Sequence, residues 1–191
     1  MKKTLIILIL LSSFISNVNA ETKRIVSGNN NAKITIIAYE SLTCSHCASF
    51  HKDIYPQLKK EYIDTGLAKI EFRHFPLDMA ALNASKISQC KSDQSLEILE
   101  SLYSNQQAWV KGNTLDEINN NLEKFIKKEG FEVNFKECIT NKEIEDFILN
   151  DRVEGAKNFK VNATPTIIIN NKKFEKSLNY KNLKKSLEKL I

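Results

Sequence analysis

No stretch of this chain reaches the roughly 20 apolar residues that a membrane-spanning helix needs. The longest, Thr4 to Ile15, has about a dozen. No block of five like charges occurs, and a formal net charge of +5 over 191 residues reads as small and scattered. That argues against a nucleic-acid partner. No repeat period and no low-complexity tract is visible, so neither a repeat array nor a composition-driven disordered chain is expected. Cysteine is scarce, with four residues in all, and none lies close after the Thr4–Ile15 run. A lipid-anchored lipoprotein is therefore not expected.

What is present begins with an export signal. Lys2 and Lys3 precede the apolar run, and Val18-Asn19-Ala20 follows it with small residues in a cleavage pattern. Residues 1–20 read as a secretory signal peptide removed after Ala20. The remaining 171 residues carry a net charge of +3 once Lys2 and Lys3 are gone. Their length suits one domain, or one domain with a sizeable insertion. All four cysteines, Cys44, Cys47, Cys90 and Cys138, lie in the part to be exported. An even number in an oxidising compartment favours disulfides. Of the three pairings four cysteines allow, only 44–47 with 90–138 keeps the CxxC as one unit.

The stretch Tyr39 to His51, YESLTCSHCASFH, places that CxxC directly after the β-branched run Ile34–Tyr39. A continuous apolar run of this kind is the pattern of a strand buried on both faces. Cys47, Phe50, Ile54, Leu58 and Tyr62 then recur at helical spacing, with Pro56 expected to kink or break the helix and Asp64-Thr65-Gly66 to end it. Ile25-Val26 reads as a short edge strand, Gly28–Asn31 as a turn and Lys69–Phe75 as a second strand parallel to the first. Helices are expected over Met79–Cys90, Gln94–Asn105, Leu115–Lys128 and Asn141–Phe159, with Phe131–Cys138 a link or short helix. Thr166–Ile169 and Lys172–Phe174 form a hairpin about Asn170-Asn171. Leu183, Leu187 and Leu190 mark a closing helix. The order is βαβ, a helical insertion, then ββα. That is an α/β thioredoxin fold with an all-helical domain between its halves: 21–77, 78–160 and 161–191.

A lone CxxC fits a metal clip, a structural staple or a redox pair. The strand–CxxC–helix placement favours the last. Unpaired backbone N–H groups and the dipole at the helix N-terminus stabilise a thiolate on Cys44, while Cys47, one turn in, is more buried and acts as the resolving sulfur. His46 can donate to the Cys44 thiolate. Stabilising the reduced thiolate makes the disulfide more oxidising. Far along the chain, VNATPTIII sets Pro165 before a strand, where an X-Pro bond can be cis. In a thioredoxin fold that turn faces the CxxC, and the Thr164 backbone can pair with an extended substrate.

The segments TCSHCASFH, FRHFPLD, NQQAW and VNATPTIIINN, in that order from about Asn31 to the C-terminus, resemble the periplasmic DsbA-like thiol:disulfide oxidoreductases. The likeness points to the alphaproteobacterial branch, whose members often carry an extra cysteine pair in the helical domain. The resemblance implies a redox pair Cys44/Cys47, a cis-Pro165 preceded by Thr164, and His46 as thiolate stabiliser. It also implies a disulfide donated to reduced, unfolded, newly exported proteins in the periplasm, and reoxidation by a quinone-linked, DsbB-like membrane partner. No cofactor is expected. Two departures stand out. Ser45 replaces the usual proline, and Ala38 occupies the position six before Cys44 where many thioredoxin-fold proteins carry a buried acid. Glu40, two residues on and on the same side of the strand, is a candidate proton relay for Cys47.

Cys90 and Cys138 are expected to form a structural disulfide rather than a second redox centre. His51 and His74 could join the cysteines in a zinc or copper site, but a surface or packed role is the better expectation. Trp109, Phe72, Phe75, Phe125 and Phe135 read as core. Leu42 and Phe50 are expected to offer apolar surface to unfolded substrates. Competing readings are an isomerase or reductase of the same fold, for which too few residues precede Ile34 to supply a dimerisation domain, and a copper or zinc delivery module.

Overall fold

The computed structural model describes residues 22–191, so the expected signal peptide lies outside the described residues. Five strands form one sheet in the order β1-β3-β2-β4-β5: β1 Ile25–Gly28, β2 Ile34–Glu40, β3 Ala68–His74, β4 Thr166–Ile169 and β5 Lys172–Lys173. β2 and β3 are parallel, with Ile34 opposite Ala68 and Glu40 opposite His74, while β1, β4 and β5 join antiparallel. The hairpin between β4 and β5 turns on Asn170 and Asn171, both at positive φ, the conformation two-residue hairpin turns require.

β2 is buried on both faces, as its β-branched composition dictates. Ile34, Ile36 and Ala38 face the main core with the helices, while Ile37 and Tyr39 face a second cluster with Phe75, Val161 and Ile168. Trp109, Phe72, Phe125 and Phe135 lie in the main core, and Trp109 Nε1 donates to Leu102 O at 2.9 Å.

The helix after the CxxC is a rod of unequal segments: α1 Ser45–Ser49, a π-helical stretch Phe50–Ile54, α2 Tyr55–Leu58 and a second π stretch Lys59–Ile63. Pro56 sits in the first turn of α2, where its missing N–H costs least. The wide π turn before it absorbs the crowding a proline imposes on a regular helix.

Between β3 and β4 lie six helices: α3 Met79–Gln89, α4 Ser95–Ser104, α5 Gln106–Trp109, α6 Leu115–Lys128, α7 Phe135–Thr140 and α8 Lys142–Phe159. Side chains at their starts cap the free N–H groups: Asp78 accepts from Ala81, Thr114 from Glu117, Asn134 from Glu137 and Asn141 from Ile144. α5 was not anticipated. Phe131–Cys138 divides into an irregular link and the start of α7. The closing helix α9, Tyr180–Leu187, buries Leu183 and Leu187 but stops before Leu190, which is exposed.

Candidate active site

The site forms where β2 ends. Cys44 is the N-cap of α1, with extended backbone, and it accepts no side-chain cap. The backbone N–H groups of Cys47 and His46 nonetheless favour the thiolate form of its sulfur. Cys47, one turn on, is fully buried and Cys44 half-buried, and both are free thiols. The peptide bond between Thr164 and Pro165 is cis, and the Cys44 thiol donates to Thr164 O at 3.3 Å. Gln106 Nε2 donates to Cys44 O at 3.0 Å and to Leu42 O at 2.8 Å, which ties the loop to α5. Thr43 Oγ1 donates to Asp78 Oδ2 at 2.7 Å and fastens it to the cap of α3.

These contacts separate the two thiols. The Cys44 thiol is lowered to about 5, chiefly by a hydrogen bond from Cys47, against the cost of its burial, with help from the Thr164 hydroxyl and the backbone N–H groups of Cys47 and His46. Burial pushes Cys47 far above the usual thiol range, and both Cys44 and Glu40 raise it further. The His46 side chain is exposed, and it is the backbone of residue 46 that reaches the Cys44 sulfur. The Thr164 hydroxyl is buried with no partner among the described residues while Cys44 is a thiol, so it is available to a thiolate.

Beneath the pair lies Glu40, 3 % exposed. The alternation of β2 turns it to the face of Ala38, toward the cysteines. His51 Nε2 hydrogen-bonds Glu40 Oε2 at 2.8 Å, and the His51 ring stacks on Tyr103 at 4.1 Å between centroids. Burial raises the Glu40 carboxyl above the usual range, with His51 pulling the other way. Among the described residues Glu40 Oε1 has no hydrogen-bond partner. His51 is thus a packed residue committed to Glu40. His74, across the ladder from Glu40, contacts Gln89 Nε2 at 3.1 Å and is held down to about 4 by burial. Among the described residues no three His, Cys, Asp or Glu side chains are grouped to hold a metal ion.

Leu42 and Phe50 do not form the expected apolar surface. Leu42 is fully enclosed because Gln106 draws its loop inward, and Phe50, 1 % exposed, turns to the inner side of the rod. The exposed apolar side chains at this rim are Leu77 and Met79, 50 % and 56 % exposed, which flank the Asp78 that Thr43 grips. On the other side a groove of about 650 Å³ runs past His46, Ser49, Ile54, Pro165, Leu178 and Tyr180. Leu77, Met79, Gln106 and Tyr103 escaped sequence reasoning, although Leu77 and Gln106 lie inside the FRHFPLD and NQQAW segments. Cys90, at the end of α3, is bonded to Cys138 of α7.

A reactive-type CxxC capping a helix at the end of a central strand, opposite a cis-proline turn, defines the thioredoxin class of site, and a thioredoxin family model matches residues 20–189. Similarity to solved structures narrows the class. The crystal structure of Wolbachia pipientis alpha-DsbA1 superposes with a TM-score of 0.78 at 30% identity, covering 88% of this chain and 90% of that one. Disulfide bond formation protein D of Bacillus subtilis is 28% identical over 174 residues, 86% of this chain and 75% of its own length. A Rickettsia prowazekii chain named as a protein-disulfide oxidoreductase is 27% identical over 170 residues, and the present chain spans 61% of its length. The chain belongs to the thioredoxin family, in its DsbA-like branch.

Proposed function

We propose that this chain is an exported thiol:disulfide oxidoreductase that donates a Cys44–Cys47 disulfide to reduced, newly exported proteins. The observation that carries the reading is the opposed pair of thiol environments, with Cys44 lowered to about 5 and Cys47 raised by burial. A stabilised Cys44 thiolate makes Cys44 the better leaving group and the disulfide the stronger oxidant.

A substrate thiolate attacks Cys44 Sγ. The Cys44–Cys47 bond breaks, and Cys47 leaves as a thiolate and takes a proton. A second substrate thiolate then attacks the substrate sulfur of the mixed disulfide and expels Cys44 as its thiolate. The substrate loses two electrons and the CxxC gains them. Glu40, with a raised carboxyl and a free Oε1, is the proton donor to Cys47 in the forward direction and the acceptor on reoxidation. His51 positions it. The Thr164 backbone pairs with the substrate chain, His46 and Pro165 flank the sulfur, and Leu77 and Met79 offer apolar contact to unfolded segments.

Cleavage after Ala20, a periplasmic location, residues 78–160 as an inserted unit, a structural role for Cys90–Cys138 and reoxidation by a quinone-linked, DsbB-like membrane partner complete the proposal. The test is oxidation of a reduced, unfolded protein by the oxidised chain. Cys44→Ser and Cys47→Ser are each expected to abolish it, because neither variant can hold the Cys44–Cys47 disulfide that accepts the substrate's two electrons. Undiminished oxidation by Cys44→Ser would overturn the mechanism.

A further inference from the structure

The charge of this chain is not scattered. Residues 170–191 contain seven lysines and two glutamates, a net +5 equal to that of the whole chain, so the preceding 169 residues balance at 21 basic and 21 acidic. A general enrichment in lysine does not produce such a division. Lys181, Lys184 and Lys185 share one face of α9, at spacings of three and four, opposite the buried Leu183 and Leu187. Lys184 pairs with Glu61 at 2.7 Å. Lys172, Lys176, Lys181, Lys185 and Lys189 are exposed and form no ion pair among the described residues.

Apolar surface lies at the same pole. A groove of about 510 Å³ between β5 and α9 is bordered by Lys172, Lys176, Phe174 and Leu190, and Leu190 also lines a second groove with Leu67 and Lys33. Leu67 and Leu190 are 39 % and 44 % exposed. The Leu190 end of this surface lies by the start of β2 at Ile34, whereas the CxxC follows the end of β2 at Glu40, and α9 begins beside the CxxC groove at Tyr180 and leads away from it. Seven residues of strand, about 20 Å, separate the two ends of β2.

We infer that this basic pole docks on an anionic phospholipid surface, with Leu67 and Leu190 at the headgroup boundary and the CxxC held away from the membrane. The segment 170–191 contains no arginine. Arginine is the residue suited to bidentate recognition of individual carboxylates on a protein partner. Dispersed lysines on long stems suit the diffuse field of a headgroup layer, where their charges reach the phosphates and their methylenes lie along apolar surface. The inference goes beyond the oxidoreductase reading, and its test does not depend on redox activity.

The test is sedimentation of the chain from Glu21 onward, which holds every described element, with vesicles of phosphatidylglycerol and phosphatidylcholine or of phosphatidylcholine alone. Partitioning at least tenfold greater onto the anionic vesicles is expected, and lost in about 1 M salt, where screening acts within about 3 Å. Joint Lys172→Gln, Lys176→Gln, Lys185→Gln and Lys189→Gln substitution is expected to lower it at least tenfold. Joint Lys111→Gln, Lys124→Gln, Lys128→Gln and Lys136→Gln substitution, with the same net charge, leaves it within about twofold. Equal binding to both vesicles, binding to neither, or a loss that fails to single out the first variant overturns the inference.

Discussion

At the scale of residues, four hydrogen bonds favour the Cys44 thiolate while burial disfavours that of Cys47. Alkylation of Cys44 in the reduced chain is expected to follow a titration with a midpoint near 5. Thr164→Val keeps the backbone carbonyl but removes the hydroxyl. It is expected to raise that midpoint by about one unit, the scale of a hydrogen bond to a charged group. Because the Cys44 pKa is depressed on folding, its contribution to the stability of the reduced form is complete above the unfolded thiol range. It is lost as pH falls toward 5; the oxidised form has no such dependence. Melting curves of both forms across that window check the sign. The cysteines and the cis-proline turn were legible because local pattern, strand then CxxC then helix, dictates them. The union of Glu40 with His51 was not. It depends on how the rod crosses the strand, and the pattern of β2 told only which side Glu40 takes.

At the scale of elements, periodicity located α6 residue for residue and α8 from its N-cap onward, since each has an apolar stripe and a capping side chain. α5 escaped because four residues make no period. The π stretches escaped because an extra residue per turn leaves no mark in a short window. Leu42 and Phe50 were misplaced for a related reason: adjacency to the CxxC in sequence said nothing of a loop pulled inward by Gln106. Where α8 meets the sheet, Gly155 allows close approach. A Cβ there would lie 2.6 Å from Tyr39 Cε1, and the Tyr39 ring is fully buried. Gly155→Ala is therefore expected to destabilise the protein by about 1–3 kcal/mol, despite alanine's better helix propensity, measured by denaturant unfolding. The Cys90–Cys138 bond closes a loop of 48 residues between α3 and α7. Replacing both cysteines by alanine is expected to cost about 4 kcal/mol in the chain-entropy description, measured the same way.

At the scale of the whole molecule, the fold order read from the pattern, βαβ then helices then ββα, is the observed one, because alternation of apolar strands with long helical stretches leaves few topologies. What pattern could not reveal is the polar fastening behind the sheet. Arg24, before β1, reaches Asp151 at 3.1 Å and Glu154 at 3.0 Å on α8, and Arg73 of β3 reaches Glu154 at 2.7 Å. Burial raises Asp151 to about 6 even against Arg24 and Arg73. The folded state therefore holds that proton more tightly than the unfolded chain does, so stability from this group falls as pH rises from about 4 to 6. Asp151→Asn is expected to remove that slope, read from melting temperatures at pH 4 and 6.

The central claim, that the site is built to give its disulfide away, is tested most directly by the reduction potential of Cys44–Cys47 in glutathione buffers. A value near about −120 mV, that of a strong dithiol oxidant, is predicted. A value near about −270 mV, that of thioredoxin, would contradict the account and make the chain a reductase.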